Sequence, residues 1–316
     1  MRTRHPVVVI AGASRGIGRA AAARLARRGA RLVLAARDAE ALESAADVAR
    51  RAGAEVATVV ADLRRPDDVA RIVAAAVARF GGIDAWVGAS GVAAYGTVEQ
   101  TPTAVYRDVL ETNLLAHIDA VRQALPVLRA QRRGRIVLIG SLYSRVTSPA
   151  MSAYIASKFA LLGFARSLRQ ELRGTALDVR IVLPATIDTP IYQRAVNMSG
   201  RSPHPLPPVV SAARVARAIE RAVAGRGRRE QLVGVAQSAT IPLAAAAPAF
   251  FDALMIALMK TLGLRRPPRP ATTGALHRAG VGPATESGGW RAPRLRALLA
   301  ACAVAGIAAV ALRRAD

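Results

Sequence analysis

The chain reads as an α/β protein, a doubly wound parallel sheet of about seven strands followed by an apolar C-terminal extension. Three observations predict this. Short, almost wholly apolar runs alternate with helical patterns through about residue 235. The runs lack polar alternate positions, as strands buried on both faces require. The first run passes straight into a glycine-rich turn that opens a helical pattern, which is how a βαβ unit begins.

Strands are expected at Val7–Ala11, Arg31–Ala36, Glu55–Ala61, Ala85–Ala89, Arg135–Ile139, Val179–Leu183 and Gln231–Val235. Helices are expected at Ile17–Arg28, Ala39–Ala52, Pro66–Phe80, Pro102–Arg129, Met151–Leu172 and Ala212–Ala224. The segment Thr186–Pro208 breaks the rhythm with Pro190, Pro203, Pro205, Pro207 and Pro208. A long irregular stretch inside a domain is either a lid or binding loop or a disordered insertion. Residues 1–238 then form a dinucleotide-binding and catalytic unit. Residues 239–270 are an apolar helical extension, 271–296 a Gly/Thr/Ser/Pro-rich loop or linker, and 297–316 a short apolar helix.

The formal charge is +24 over 316 residues, and half of that excess lies in 201–316, beside apolar segments. Aromatic residues make up 4% of the chain, too few for a base-stacking platform. No nucleic-acid module pattern is present, so a membrane surface suits the charge better than nucleic acid. Cys302 is the single cysteine, which precludes an intrachain disulfide and fits a reducing, cytoplasmic compartment. The four histidines (His5, His117, His204, His277) have no metal-ligand spacing, and no metal is expected. The run after Met1 is too short for a signal-peptide core and reads as a buried strand.

Gly12-Ala-Ser-Arg-Gly-Ile-Gly18 lies between the first strand and first helix. Small residues let backbone approach a pyrophosphate, and the helix N-terminus supplies amide donors and a positive dipole end. Gly12, Ser14, Arg15, Gly16, Ile17 and Gly18 are the candidate cofactor loop. At the end of the second strand, an acidic residue would bind the ribose 2′-hydroxyl of NAD. This chain has Arg37 there, followed by Asp38. Arg15 and Arg37 together suit a 2′-phosphate, so NADP is expected ahead of NAD. Asp62, with Leu63 beside it, follows the third strand. Its carboxylate either accepts from an adenine amino group or is a helix or turn cap before Pro66.

Tyr154 and Lys158 stand in Tyr-Ile-Ala-Ser-Lys. The chain has only two lysines, Lys158 and Lys260, and is otherwise basic through arginine. Positions i and i+4 share a helix face. A compact ammonium there can depress a neighbouring phenol's pKa, which gives an acid/base for a carbinol oxygen.

With these features on one chain, residues 5–235 resemble the short-chain dehydrogenase/reductase family. The Gly12–Gly18 loop resembles its cofactor loop, and Asn113 in Glu-Thr-Asn-Leu-Leu its helix asparagine. Ser141 precedes Tyr154 by thirteen residues, and Pro184-Ala-Thr-Ile-Asp-Thr189 resembles the segment over the nicotinamide. The resemblance implies a Rossmann-like fold and a tetrad of Asn113, Ser141, Tyr154 and Lys158. Tyr154 would transfer the proton and Ser141 would hold the substrate oxygen. Lys158 would lower the tyrosine's pKa and contact the nicotinamide ribose, and Asn113 would hold a proton-relay water. Gly91, Pro184, Ile187 and Thr189 would join the cofactor site. Two departures stand out: Gly88-Ala-Ser-Gly91 replaces the family's Asn-Asn-Ala-Gly, and Pro184-Ala185 its Pro-Gly.

The expected activity is hydride transfer between NADP(H) and a carbonyl or alcohol substrate of lipophilic character, in a homo-oligomer. The alternative is a catalytically silent NADP-binding regulatory protein or membrane-associated scaffold. Ala239–Leu264 is expected as a pocket-lining or interfacial helix pair. Ala297–Leu312 carries no charge. As a helix it would rise ~24 Å, against a bilayer core of about 30 Å. It is a weak membrane anchor, a helix packed on the enzyme or a partner subunit, or a mobile tail.

Overall fold

Val7–Ala11 form strand β1, and all five residues are buried. Val7, Val9 and Ala11 face one core cluster, Val8 and Ile10 the other, so the sheet must be covered on both sides. The computed structural model, which describes residues 5–291, does this with helices. The further strands are β2 (Arg31–Ala36), β3 (Val56–Val60), β4 (Ala85–Gly88), β5 (Gly134–Ile139), β6 (Leu177–Pro184) and β7 (Glu230–Val233). The seven are ordered β7-β6-β5-β4-β1-β2-β3, and every pairing is parallel. This is the Rossmann-like arrangement. The chain reverses direction across the sheet between β1 and β4, which opens a crevice at their carboxyl ends.

Local chemistry sets the helix ends. Helix α1 (Gly16–Ala26) follows Arg15, which provides no side-chain cap. Helix α2 (Ala39–Arg51) starts on Asp38, whose side chain accepts from the Ala41 N–H. Helix α3 (Pro66–Phe80) carries Pro66, Asp67 and Asp68 in its first turn and ends at Gly81 with φ +79°, as helix starts and left-handed stops favour. Thus α2 has a local cap, whereas the first amides of α1 remain for other acceptors.

The expected long helix Pro102–Arg129 is not continuous. It is α4 (Thr103–Leu110), a π turn at Glu111–Leu115 and α5 (Ala116–Ala130). Helix α6 (Ser152–Glu171) carries Tyr154 and Lys158, and α7 (Ala212–Val223) covers the other face with α1 and α2.

The irregular segment after β6 is tied down by short ribbons. Ile187–Asp188 pairs with Val210–Ser211, and Val196–Asn197 with Ala94–Tyr95. Arg201–Pro203 pairs with Leu264–Pro268. The extension folds back as α8 (Val235–Ser238), α9 (Thr240–Ala246) and α10 (Pro248–Leu258), with a π turn at Met259–Gly263. Phe251 and Met255 of α10 pack with Leu142 and Val146, while Met259 packs with Tyr95 and Tyr154. No helix among the described residues is long and apolar enough to cross a membrane. The expected anchor, Ala297–Leu312, lies outside the described residues.

Glu230 on β7 joins three parts of the fold. Its carboxylate meets Arg166 at 2.9 Å and Arg169 at 3.5 Å on α6, and Arg145 after the Ser141 turn. The Arg166 hydrogen bond leads in holding its carboxyl down to about 2, with Arg145 adding to it and burial opposing. A carboxyl depressed in the folded state stabilises it fully above its unfolded pKa of 4.5 and loses that contribution as pH falls toward about 2. Glu230→Gln should therefore cost roughly 2 kcal/mol at neutral pH. In denaturant titrations the native and variant stabilities should converge between pH 4.5 and 2.

Candidate active site

The crevice between β1 and β4 exists because its glycines have no side chains. Gly12 has φ +90°, and a Cβ there would lie 2.5 Å from the Ser90 nitrogen. A Cβ on Gly18 would collide with the Gly12 carbonyl. These two close approaches bring the loop before α1 against the loop after β4. Gly12, Ser14, Arg15, Gly16, Ile17, Arg37, Asp62, Leu63 and Gly91 all line one cleft of about 1140 Å³, open to solvent. Thr189 also lines this cleft. It approaches Gly16, where a Cβ would lie 3.2 Å from the threonine Cβ.

Asp38 is drawn into an ion pair, Arg15 Nη2 to Asp38 Oδ2 at 2.6 Å, as well as capping α2. Burial alone would raise the Asp38 carboxyl, but hydrogen bonds from the Ala41 N–H and Arg15 hold it below its ordinary value. Asp62 lines the cleft and takes the turn role: its Oδ1 accepts from the Arg64 N–H at 3.1 Å just before α3, whose N-cap position is Arg65. Its carboxylate also pairs with the Arg64 guanidinium at 2.6 Å. Burial pushes that carboxyl up, but the bonds from Arg64 outweigh it and keep the group ionised.

The catalytic candidates converge on a second cavity of about 560 Å³, lined by Ser141, Tyr154, Lys158, Pro184, Ile187 and Tyr192 among others. Ser141 ends β5 and opens a short 3-10 turn, its Oγ accepting from the Tyr143 N–H at 3.1 Å. Ser144 points back to accept from the Ser141 N–H at 3.2 Å, so it closes the turn and does not compete for the site. The Tyr154 phenol is pushed up to about 12 by burial, opposed by its hydrogen bond with Ser141. Lys158 is not among the causes of that shift. The Lys158 Nζ lies 5.7 Å from the Tyr154 ring centroid and donates to the Ile139 carbonyl at 3.0 Å. Burial instead lowers Lys158 itself to about 8.

Asn113 is fully buried in the π turn. Its Nδ2 donates to the Val92 carbonyl at 2.9 Å, and its Oδ1 accepts from the Val92 N–H at 2.9 Å. The same Nδ2 reaches Ser157 Oγ at 3.0 Å, and Ser157 donates to the Tyr154 carbonyl at 2.6 Å. A Cβ on Gly91 would lie 3.2 Å from Asn113 Oδ1 and 3.7 Å from Lys158 Nζ, so the one glycine kept from the family's stretch sits beside both.

Four features escaped the sequence reading. His117 is fully buried, with Nε2 3.0 Å from the Ser90 carbonyl. Burial, then the Lys158 charge, holds it neutral with a pKa of about 4. Its ring fills the space left by Gly88, where a Cβ would lie 2.7 Å from His117 Nδ1. Tyr95, Tyr143 and Tyr192 surround Tyr154, with the Tyr143 ring edge-on at 6.4 Å. Arg194, after Thr189, lines the first cleft. The fourth is the segment expected as a linker, which packs across that cleft. Thr285 accepts from the Gly16 N–H at 2.9 Å, Pro283 from Arg15 Nε at 3.1 Å, and Leu276 and Ala275 from Arg37 at 2.8 and 2.5 Å. Asp188 anchors the segment through Ser287 Oγ and the N–H groups of Gly288 and Trp290.

Residues 6–199 match the family model described as short chain dehydrogenase. Among curated proteins, the chain is 32% identical over 286 residues to the uncharacterized oxidoreductase YxnA of Bacillus subtilis (strain 168), covering 89% of this chain and 80% of that one. It is 41% identical over 189 residues to 11-beta-hydroxysteroid dehydrogenase 1A of Arabidopsis thaliana, covering 59% of this chain and 54% of that protein. Among solved structures, a short chain dehydrogenase/reductase from Burkholderia phymatum in complex with NAD superposes with a TM-score of 0.70 at 27% identity, over 86% of this chain and 99% of that one. An actinorhodin polyketide ketoreductase crystallised with NADPH gives 0.65 at 27% identity, over 73% and 97%.

The contact between Gly88 and His117 can be tested without any ligand. Gly88→Ala should cost about 1–3 kcal/mol by overpacking against the ring. Adding His117→Ala should recover at least ~1 kcal/mol of that cost, read as the coupling in a double-mutant cycle of denaturant unfolding. Strict additivity would separate the two positions.

Proposed function

The chain belongs to the short-chain dehydrogenase/reductase family, and from that premise we propose that it is an oxidoreductase moving hydride between a nicotinamide dinucleotide and the carbonyl or alcohol of an apolar small molecule. The observation that carries this is the convergence of Ser141, Tyr154 and Lys158 on one cavity next to the glycine-lined cleft.

The cleft's chemistry fits a nicotinamide dinucleotide. Glycine backbone lines it, and Arg15 Nη1 is buried there with no partner among the described residues. Arg15 and Arg37 favour NADP over NAD, although Asp38 spends part of Arg15's charge. The nicotinamide, when bound, supplies or accepts the hydride. The protein's work is orientation and proton handling. Ser141 Oγ donates to the substrate oxygen and fixes it against Tyr154. The Tyr154 phenol, kept protonated by burial, gives its proton to that oxygen during reduction and retakes it during oxidation. The Lys158 ammonium holds the ribose hydroxyls and stabilises negative charge on the phenolic oxygen as the proton leaves. Asn113 acts through position. Its grip on Val92 and Ser157 sets the spacing of the cleft wall and α6.

An apolar substrate is supported by what surrounds Tyr154. Ala93, Tyr95, Met151, Ile155, Met259 and Tyr192 pack around it. The names of two similar proteins, a hydroxysteroid dehydrogenase and a polyketide ketoreductase, point to ring ketones and fused-ring alcohols as the first compounds to try.

The deciding experiment is turnover of a panel of such carbonyls with NADPH and with NADH. Tyr154→Phe should bind cofactor as the native protein does while kcat falls about 10²–10⁴-fold. Cofactor binding without turnover of any carbonyl by the native protein would sink the enzyme reading.

The pH profile carries a second prediction. Lys158 is charged below about 8 and neutral above it, whereas Tyr154 stays protonated to about 12. In carbonyl reduction, kcat/KM for NADPH should be flat below pH 8 and fall about tenfold per unit above it. Lys158→Arg, whose charge does not titrate in this range, should show no such break at whatever activity it retains.

A further inference from the structure

The cofactor cleft holds a guanidinium that no neighbour neutralises. Arg194 lies five residues after Thr189 on the segment following β6, and it lines the cleft together with Arg15, Arg37, Asp38 and Asp62. Among the described residues its side chain makes no hydrogen bond or ion pair, and its Nε is buried without a partner. The nearby carboxylates are already engaged. Asp38 is paired with Arg15 at 2.6 Å, and Asp62 with Arg64 at 2.6 Å and Arg37 at 3.8 Å. Four guanidiniums thus share two carboxylates in a partly buried cleft. Cations held this way need an anion to offset their desolvation and mutual repulsion.

The donors still free identify where that anion goes. Each Arg37 terminal nitrogen gives one of its two hydrogens to the Leu276 or Ala275 carbonyl, which fixes that fork. Arg15 has given Nη2 to Asp38 and Nε to Pro283, leaving Nη1 buried and unpartnered. Arg194 has its whole fork left. Burial, then the charges of Arg15 and Arg37, pulls its pKa down to about 10, with Asp38 opposing, so it senses the same field. Its position is enforced from behind. The Arg194 carbonyl accepts from the Ala275 N–H at 2.9 Å. A Cβ on Gly282 would lie 2.8 Å from Arg194 Cγ, so that glycine makes room for the side chain.

We propose that Arg194 is a specificity-determining residue that completes, with Arg15, a pocket for the phosphate monoester on the adenosine ribose of the cofactor. This rests on the NADP reading above and moves its main contact from the end of β2 to the segment after β6. A phosphate monoester has three terminal oxygens and a charge near −2, which suits two forks approaching from separate segments. Ile191 and Tyr192 on the same segment line the catalytic cavity. Phosphate held by Arg194 therefore also fixes a wall of the substrate site.

The test is equilibrium binding on the full chain, using NADPH, NADH, adenosine 2′,5′-bisphosphate and 5′-AMP as probes. Arg194→Gln should weaken NADPH and the bisphosphate about 10- to 100-fold while leaving NADH and 5′-AMP within about twofold, as expected for loss of a charge-assisted contact. Arg194→Lys should fall between. Gly282→Ala, which displaces the side chain without removing its charge, should give the same selective loss and guards against a folding defect specific to the Gln variant. Should the native protein prefer NADPH and Arg194→Gln keep that preference, the assignment of Arg194 is overturned while the NADP reading stands. Equal weakening of all four probes would make Arg194 a structural residue and also overturn it. Equal native affinity for NADPH and NADH would instead remove the NADP reading and the proposal with it.

Discussion

The carboxamide of Asn113 is the point from which the site hangs. It holds both backbone groups of Val92 and reaches Ser157, which in turn bonds the Tyr154 carbonyl. One buried side chain thereby links the loop after β4, the interrupted helix and the helix carrying Tyr154 and Lys158. A buried amide is costly unless each of its groups is satisfied. Here the three contacts on Val92 and Ser157 match that need, so the fully bonded arrangement is far more favourable than any displaced one. The π turn at Glu111–Leu115 is the backbone's accommodation. An extra residue in the turn changes which side chains face inward. Gly91 is the matching concession on the other side, since a Cβ there would press on the Asn113 Oδ1 at 3.2 Å.

Burial, more than pairwise charge, sets the protonation states inside that frame. Desolvation raises Tyr154 and lowers Lys158 and His117, so each group is driven toward its neutral form. This explains the choice of lysine in a chain that otherwise uses arginine. A guanidinium would keep its charge whatever the burial, whereas an ammonium near the middle of its titration can respond to what enters the cavity. Surface electrostatics follow the opposite rule. Glu230, less buried and surrounded by Arg145, Arg166 and Arg169, is driven toward its charged form and braces the Ser141 turn against α6 and β7.

The parts of this architecture legible in the sequence were the local ones. Apolar runs such as Val7–Ala11 and Arg31–Ala36 declare buried strands without any partner being known. Gly12–Gly18 and Tyr154–Lys158 likewise carry their meaning in short spacing. What stayed hidden depends on residues far apart in the chain. Gly88 read as a loss from the family's pattern because nothing near it names His117, 29 positions on, as the ring that fills its space. The helix through Asn113 read as continuous because the residues flanking it have ordinary helical periodicity, and the π turn answers to Val92, not to its own neighbours. The stretch after residue 270 read as a linker from its Gly, Ser, Thr and Pro content. Composition reports that a segment lacks regular structure, not where its carbonyls go.

That last segment changes how the chain's two regions relate. The folded unit through β7 supplies the glycine loop and the Ser141, Tyr154 and Lys158 side chains, but both of its openings are bordered by later sequence. Met255 and Met259 close on the Ser141 turn and the Tyr154 ring, and the carbonyls of residues 275–285 take donors from Arg15, Gly16 and Arg37. A neutral carbonyl satisfies a guanidinium's hydrogen bonds without cancelling its charge. The segment therefore leaves the cleft electrostatically hungry while making it geometrically ordered, at the cost of donors that a looser loop would leave to a ligand. An anion entering the cleft meets a preset field and little remaining side-chain freedom to freeze. Four of the chain's many arginines, Arg15, Arg37, Arg64 and Arg194, line this cleft, and its two carboxylates among the described residues, Asp38 and Asp62, are already paired.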